Sequence, residues 1–255
     1  MTTPSISVCI LTASSPNSDG RFWVLFAVLL AFYYAYNHWS SNRRQTALAE
    51  LAPSMKFLWS DTLHEIPGGI AFLRTGRDRQ FSNAMTGSGA GCEVTLFDFE
   101  YETGISLRTE RTHQQTMAAF RSAHCVLPAF QFGPESVVRK MSTVGSVEQF
   151  KFETPLPSVT APIGRYLLRS QEQAVVSALF DSEMLKFFND LGLQHQPWFL
   201  EGHQEWLLIF EHNNIVLPQN YPWFLQQTST IAAMVFGCTR MKRAAMSQIA
   251  AGPAQ

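Results

Sequence analysis

The stretch EVTLFDFEYETG, residues 93–104, carries the clearest fold signal in the chain. From Phe97 to Glu102 aromatic and acidic residues alternate, which is the period-two pattern of a β-strand with two different faces. Thr103-Gly104 is typical of a turn, and residues 106–125 then predict one long strand or two. Consecutive strands joined by short turns indicate an antiparallel sheet.

More strands and several helices are expected outside this stretch. Short runs rich in apolar and aromatic residues, bounded by turn residues, predict strands at 55–59, 80–85, 148–152 and 164–169. Residues 198–212 predict a hairpin around Gly202-His203. Apolar residues at helical spacing over 176–191, and Pro222 at the start of a last apolar run, favour helices. The expected fold class is α+β, an antiparallel sheet packed on helices and preceded by a transmembrane helix.

The expected organisation has five parts. They are an N-terminal tail (1–21), a transmembrane helix (22–39), a strand-rich α+β domain (43–153), a second α+β half or subdomain (163–240) and a flexible tail (241–255). The intervening TPLPSVTAP, residues 154–162, contains three prolines and is the best candidate for a linker or long loop.

The segment FWVLFAVLLAFYYAY, residues 22–36, has no charge and no helix breaker. Trp39 extends it to about 18 positions, at the short end of what a bilayer requires. Aromatic residues gather towards its ends, as they do at membrane interfaces. Phe22 to Trp39 is therefore expected to contact the lipid bilayer. The alternatives are a cleaved signal peptide and a buried core helix. Residues 1–20 contain no Lys or Arg, which a signal peptide would have before its apolar segment. Residues 22–36 have no polar face, which a core helix would have.

Charge around this segment predicts its orientation. Arg21 precedes it, whereas Arg43, Arg44 and then Lys56 follow it. The positive-inside rule places the large C-terminal part in the cytoplasm, as a single-pass protein of the cell membrane. Over the whole chain, 19 basic and 20 acidic residues give a net charge of −1. That balance provides no electrostatic footprint for nucleic acid, so no such partner is expected.

Candidate catalytic residues lie on and after the alternating strand. Asp98 and Glu100 share a face, and clustered carboxylates bind divalent cations. One of His113 or His124 would complete a metal-assisted site. No H-E-x-x-H or H-x-x-x-H spacing is present, so neither a bound metal nor a cofactor is expected.

Simpler interpretations exist for each of these features. The acidic residues fit a solvated sheet face paired with Arg108 and Arg111. TGSGAG, residues 86–91, lacks the spacing of a phosphate loop and predicts a connection between strands. The cysteines are widely spaced, which favours buried free thiols; a Cys92–Cys125 disulfide is the alternative if the domain lies outside the cell.

The chain contains a series of motifs in the following order: FLRTGRDRQFSNAMTG (72–87), LFDFEYETG (96–104), Thr116, LPAFQFGPE (127–135), RYLLRSQEQAVVSALF (165–180), LKFFND (185–190) and Leu200-Glu201-Gly202. In these motifs, which extend roughly over residues 55–235, the chain resembles a bacterial family of single-pass membrane proteins with no assigned activity. It departs from that family's pattern at Phe99, Ser170 and Ile163. The resemblance implies an N-terminal anchor followed by one conserved series of strands and helices, and it implies no catalytic residues.

Two functional hypotheses follow. The favoured one is a membrane-anchored, non-catalytic interaction module with an unidentified protein partner. The alternative is a membrane-bound, metal-assisted enzyme that uses the strand carrying Asp98 and Glu100.

Overall fold

The computed structural model describes residues 20–63, 65, 67–89, 91–104, 110–135, 138, 152–161, 164–170, 176, 179–192 and 198–250. Its helices with described bounds are α1 (Gly20–Ser54), α2 (Ser182–Gly192) and α3 (Tyr221–Ala250). Its strands are β1 (Leu58–Thr62), β2 (Arg77–Gly89), β3 (Cys92–Thr103), β4 (Arg111–Arg121), β5 (Leu127–Pro134), β6 (Phe152–Ala161), β7 (Gly164–Ser170), β8 (Trp198–Gln204) and β9 (Trp206–Glu211). Two 3-10 helices cover Phe72–Arg74 and Pro218–Asn220.

The described strands form one nine-stranded sheet in the order β1-β2-β3-β4-β9-β8-β5-β7-β6. Every pairing in it is antiparallel, which confirms the predicted α+β class. β4 pairs with β9, and β5 lies between β8 and β7. Strands from 43–153 therefore pair directly with strands from 163–240, and the two predicted parts share one sheet. The chain divides elsewhere, into a unit Met1–Arg44 and a unit Gln45–Gln255.

Residues 154–161 are not a linker, and that prediction is wrong. They belong to β6, which pairs with β7 through partners such as Pro155 and Leu167. Proline is tolerated there because β6 is the last strand of the sheet and needs ladder hydrogen bonds on one side only.

The glycine-rich segment 86–91 is mostly strand rather than a connection. Thr86 to Gly89 continue β2 and pair with β3, and Gly89 lies opposite Cys92. The hairpin of β8 and β9 is confirmed, but its turn follows His203, which pairs with Trp206. Gly202 lies within β8 instead, where a Cβ would meet the Phe130 ring at 2.2 Å. This glycine therefore provides room for an aromatic ring and makes no turn.

Helix α1 is continuous from Gly20 to Ser54 and includes Pro53. It includes the predicted segment 22–39 and continues to Ser54 without a break. All described side chains from Phe22 to Ala35 are exposed. None of the helices in the described part of the chain reaches both the length and the apolar character of a membrane span.

The C-terminal prediction also needs correction. Residues 241–250 were expected to be a flexible tail, but α3 extends to Ala250. MKRAAMSQIA contains mainly strong helix formers, and the next breakers are Gly252 and Pro253. Residues 251–255 lie outside the described residues, as do residues 1–19 of the predicted N-terminal tail.

The sheet buries apolar side chains on both faces. On the helix-covered face, which includes Val94 and Leu96, the sheet packs against buried residues of the three helices: Leu48, Ala52, Met184, Phe188, Tyr221, Phe224, Ile231 and Val235. On the opposite, loop-covered face, Phe97 and Phe99 pack with Phe72 of the first 3-10 helix. The segment before β2 thus acts as a third layer.

Candidate functional site

Asp98 is buried under the start of α3. Only 7% of it is exposed, and its carboxylate accepts hydrogen bonds from Asn83 Nδ2 at 2.8 Å and Thr116 Oγ1 at 2.7 Å. The hydroxyl of Tyr221 donates a longer bond, at 3.4 Å. These donors come from β2, β4 and α3, so a single carboxylate links three elements across the helix-covered face.

This environment excludes a solvated sheet face at Asp98, and that interpretation is wrong there. Thr116 is its neighbour on β4, whereas Arg111 lies opposite Thr103 at the far end of the strand pair. Arg108 lies outside the described residues. Asn83, Asp98 and Thr116 all belong to the motifs in which the sequence resembles the bacterial family, and the fold brings them together in one hydrogen-bonded cluster.

The other candidate residues do not converge on Asp98. Glu100 accepts a hydrogen bond from Gln114 Nε2 at 2.6 Å, close to solvent. His113 lies beside Tyr101, with ring centroids 4.9 Å apart, and therefore on the loop-covered face, opposite to Asp98. Its ring nitrogens bond Thr103 Oγ1 and Asn213 Oδ1. His124 lies in an exposed turn after β4. Within the described ranges, no group of three or more His, Cys, Asp or Glu residues could hold a metal ion.

A second buried carboxylate, Glu201, was missed as a site residue by sequence reasoning. It is 2% exposed on the loop-covered face of β8. Its Oε1 accepts the backbone N–H of Ala71 at 2.5 Å, and Oε2 accepts the N–H of Phe72 at 3.0 Å. Gln131 Nε2 donates a third bond at 3.2 Å from β5. Glu201 therefore caps the first 3-10 helix from across the molecule.

Burial sets the protonation behaviour of Glu201. Removal from water raises its pKa to about 7, against the opposing effects of the two backbone N–H groups, Gln131 and the positive charge of Arg74. The carboxyl group therefore changes charge near neutral pH.

The sequence does contain a signal for Glu201. It follows Trp198-Phe199-Leu200, a continuous apolar run of the kind buried on both sheet faces. A carboxyl group in such a run must find hydrogen-bond donors inside the protein. Which donors it finds depends on contacts between residues 130 positions apart, which no local pattern reveals.

The two cysteines with described side chains, Cys92 and Cys125, are buried, and neither forms a disulfide. Cys92 begins β3, and the Cys125 thiol lies 3.9 Å from the carbonyl oxygen of Phe236. The alternative of a Cys92–Cys125 disulfide is therefore wrong. Cys9 and the side chain of Cys238 lie outside the described residues.

Comparisons with known proteins add a loose structural similarity. No protein-family model matches the chain, and no curated protein matches it. One similar solved structure is that of the mycobacterial trehalose monomycolate transport factor A, TtfA, at 11% identity and a TM-score of 0.44. The match covers 75% of this chain and 94% of that chain. At this degree of similarity, no property of TtfA is transferred to the present chain.

Proposed function

We propose that this protein is a membrane-tethered, non-catalytic interaction module. In this proposal residues 22–39 of α1 lie in the cell membrane, and the unit Gln45–Gln255 faces the cytoplasm and binds a protein partner. The observation that carries the proposal is the exposed apolar surface of α1, where Phe22 is 64% exposed and Phe32 is 75% exposed.

Water is an unfavourable environment for this surface. Contiguous apolar side chains in contact with water cost roughly 25 cal/mol for each Å² that burial would remove. A helix satisfies its own backbone hydrogen bonds and is therefore compatible with lipid. Eighteen residues, Phe22 to Trp39, rise about 27 Å, close to the ~30 Å hydrocarbon thickness of a bilayer. Trp23 and Trp39 stand near the two ends, where aromatic rings favour the interface.

The residues after this stretch support a cytoplasmic domain. Arg43 and Arg44 follow it after residues 40–42, whereas Arg21 alone precedes it. The guanidinium of Arg43 lies 4.6 Å from the centroid of the Trp39 ring, a cation–π contact suited to the headgroup region.

The buried polar residues favour binding over catalysis. Asp98 and Glu201 each accept several hydrogen bonds that join separate elements, and this is a structural role. Asp98 and Glu100, the two carboxyl groups of the metal-assisted alternative, share no described histidine on their face of the sheet. The metal-assisted alternative therefore has less support than the interaction module.

Membrane extraction tests the tether. The double variant Leu25→Arg/Leu29→Arg places two charges in the exposed stretch. An arginine costs about 3 kcal/mol at the centre of a bilayer-spanning helix and less towards its ends. We expect the wild-type chain to remain in membranes after alkaline carbonate washing and the double variant to be released. Leu58→Arg, at a position 81% exposed on β1, is the matched control and should stay in the membrane. Release of the wild-type chain by carbonate would contradict the proposal.

A further inference from the structure

A cleft of about 430 Å³ opens between β2 and the segment that precedes it. Its apolar floor is formed by Ile70 and Leu73, which are 1% and 3% exposed, and by the partly buried ring of Phe81. Its volume is within the range of sites that take small organic molecules.

Two arginines line the same cleft. Arg74 ends the first 3-10 helix and Arg79 lies on β2, and both are exposed. Among the described residues, neither forms an ion pair, whereas the nearby Arg77 pairs with Glu110 at 3.2 Å. The cleft therefore presents two positive charges that no described carboxylate neutralises by direct contact.

The wall of the cleft formed by residues 67–74 is held in place from beneath. Glu201 accepts the backbone N–H groups of Ala71 and Phe72. The neighbouring Gly69 has a φ of +75°, and a Cβ there would lie 2.0 Å from the His203 ring. The loop thus rests directly on β8, and glycine is required for that close approach. A wall fixed in this way loses little entropy on binding a ligand.

The opposite wall contains an irregularity in β2. The pairing register with β3 shifts between Arg77 and Gln80, and Asp78 within it has a φ of 46°. Such β-bulges change the direction of neighbouring side chains and are frequent next to binding sites. Arg79 also lies within this irregularity, and it lines the cleft together with Phe81, two positions further along the strand.

We propose that this cleft binds a small organic phosphate monoester. Its phosphate group pairs with the guanidinium groups of Arg74 and Arg79, and its apolar part lies on Ile70, Leu73 and Phe81. A phosphate monoester carries about −1.5 to −2 charges at neutral pH, which matches two guanidinium groups. Guanidinium groups also form paired hydrogen bonds with phosphate oxygens. The proposal is independent of membrane attachment.

Equilibrium dialysis with phenyl phosphate tests it, using the whole 255-residue chain with zwitterionic phosphatidylcholine vesicles present. We expect one saturable site per chain, with inorganic phosphate and phenol each binding about tenfold more weakly because each lacks one half of the interaction. Arg74→Gln and Arg79→Gln should each weaken binding about tenfold or more. Arg111→Gln, an exposed arginine of β4 that does not line the cleft, is the control and should bind as wild type.

A cleft-filling variant tests the location without removing charge. Gly68 lines the cleft, and a Cβ there meets no atom within 4 Å, so the first atom of a Phe side chain in Gly68→Phe causes no clash. It should abolish phenyl phosphate binding while leaving the thermal unfolding temperature unchanged. Adding phosphatidic acid to the vesicles distinguishes two sources of the phosphate monoester: displacement of phenyl phosphate indicates a lipid headgroup, and undiminished binding indicates a soluble compound. Absence of saturable binding, unchanged binding in the Arg74→Gln/Arg79→Gln variant, or equal binding of inorganic phosphate would overturn the proposal.

Discussion

The carboxylate of Glu201 accepts the backbone N–H of Phe72 at 3.0 Å, although 129 positions separate the two residues. This bond fixes the 3-10 helix against β8 and places the Phe72 ring in the centre of the loop-covered face. There the ring centroid lies 4.5 Å from that of Phe210 and 5.6 Å from that of Phe199. The buried carboxylate of Glu201 therefore fixes both the aromatic packing on the loop-covered face and one wall of the cleft.

Glu201 makes stability depend on pH. Its pKa is about 7 in the folded protein against 4.5 as the reference value, so between these values the folded state binds more protons than the unfolded state. The free energy of unfolding should therefore fall as pH rises from 4.5 to 7, by at most about 3 kcal/mol from this group. Glu201→Gln removes this dependence. Chemical denaturation of both proteins at about pH 5 and about pH 8, which together cover most of that window, checks this prediction. A stability difference between the two proteins that stays constant with pH would contradict the role of Glu201.

Phe72 should be among the most sensitive apolar positions of the loop-covered face. It is 0% exposed, and Phe72→Ala leaves a cavity among several aromatic rings. We expect a loss of about 3–5 kcal/mol in the free energy of unfolding. Phe81→Ala, at a partly buried position of the same face, is the control and should cost distinctly less. Equal losses in the two variants would show that Phe72 does not occupy the centre of this cluster.

Asp98 and Glu100 should respond differently to the same chemical change. Asp98→Asn turns an amide donor towards Asn83 or Thr116, which already donate, and should lower stability by about 1–3 kcal/mol. Glu100→Gln, two positions along β3 and near solvent, should stay within about 0.5 kcal/mol of wild type. Thermal unfolding of the two variants provides the comparison, and similar melting temperatures would mean that Asp98 is not a structural acceptor.

The cysteines offer a simple test of the fold. In a Cys9→Ser/Cys238→Ser variant, the remaining thiols, Cys92 and Cys125, are both buried. A thiol reagent should therefore react slowly with the native variant and should detect two thiols after denaturation without reductant. Fewer than two thiols in the denatured sample would indicate the disulfide that the structure excludes.

The sequence is informative where a pattern is local and less so where contacts are distant. The alternation of β3 is visible because neighbouring residues alone produce it. The burial of Asp98 is not, because Tyr221, which lies over it, is 123 positions away. The prolines of 154–162 indicate a linker, but two of them, Pro155 and Pro157, lie on the edge strand β6. His113 and Glu100 are close in sequence, yet strand geometry places them on opposite faces.

Membrane topology tests the central claim most directly. A protease-cleavable tag after Gln255, in a bacterial host, should be protected in intact spheroplasts and digested in inverted membrane vesicles. A periplasmic protein fused to a known anchor supplies the control for intact spheroplasts. Digestion in intact spheroplasts would contradict the cytoplasmic placement, and recovery of the tag in the soluble fraction would contradict the tether itself.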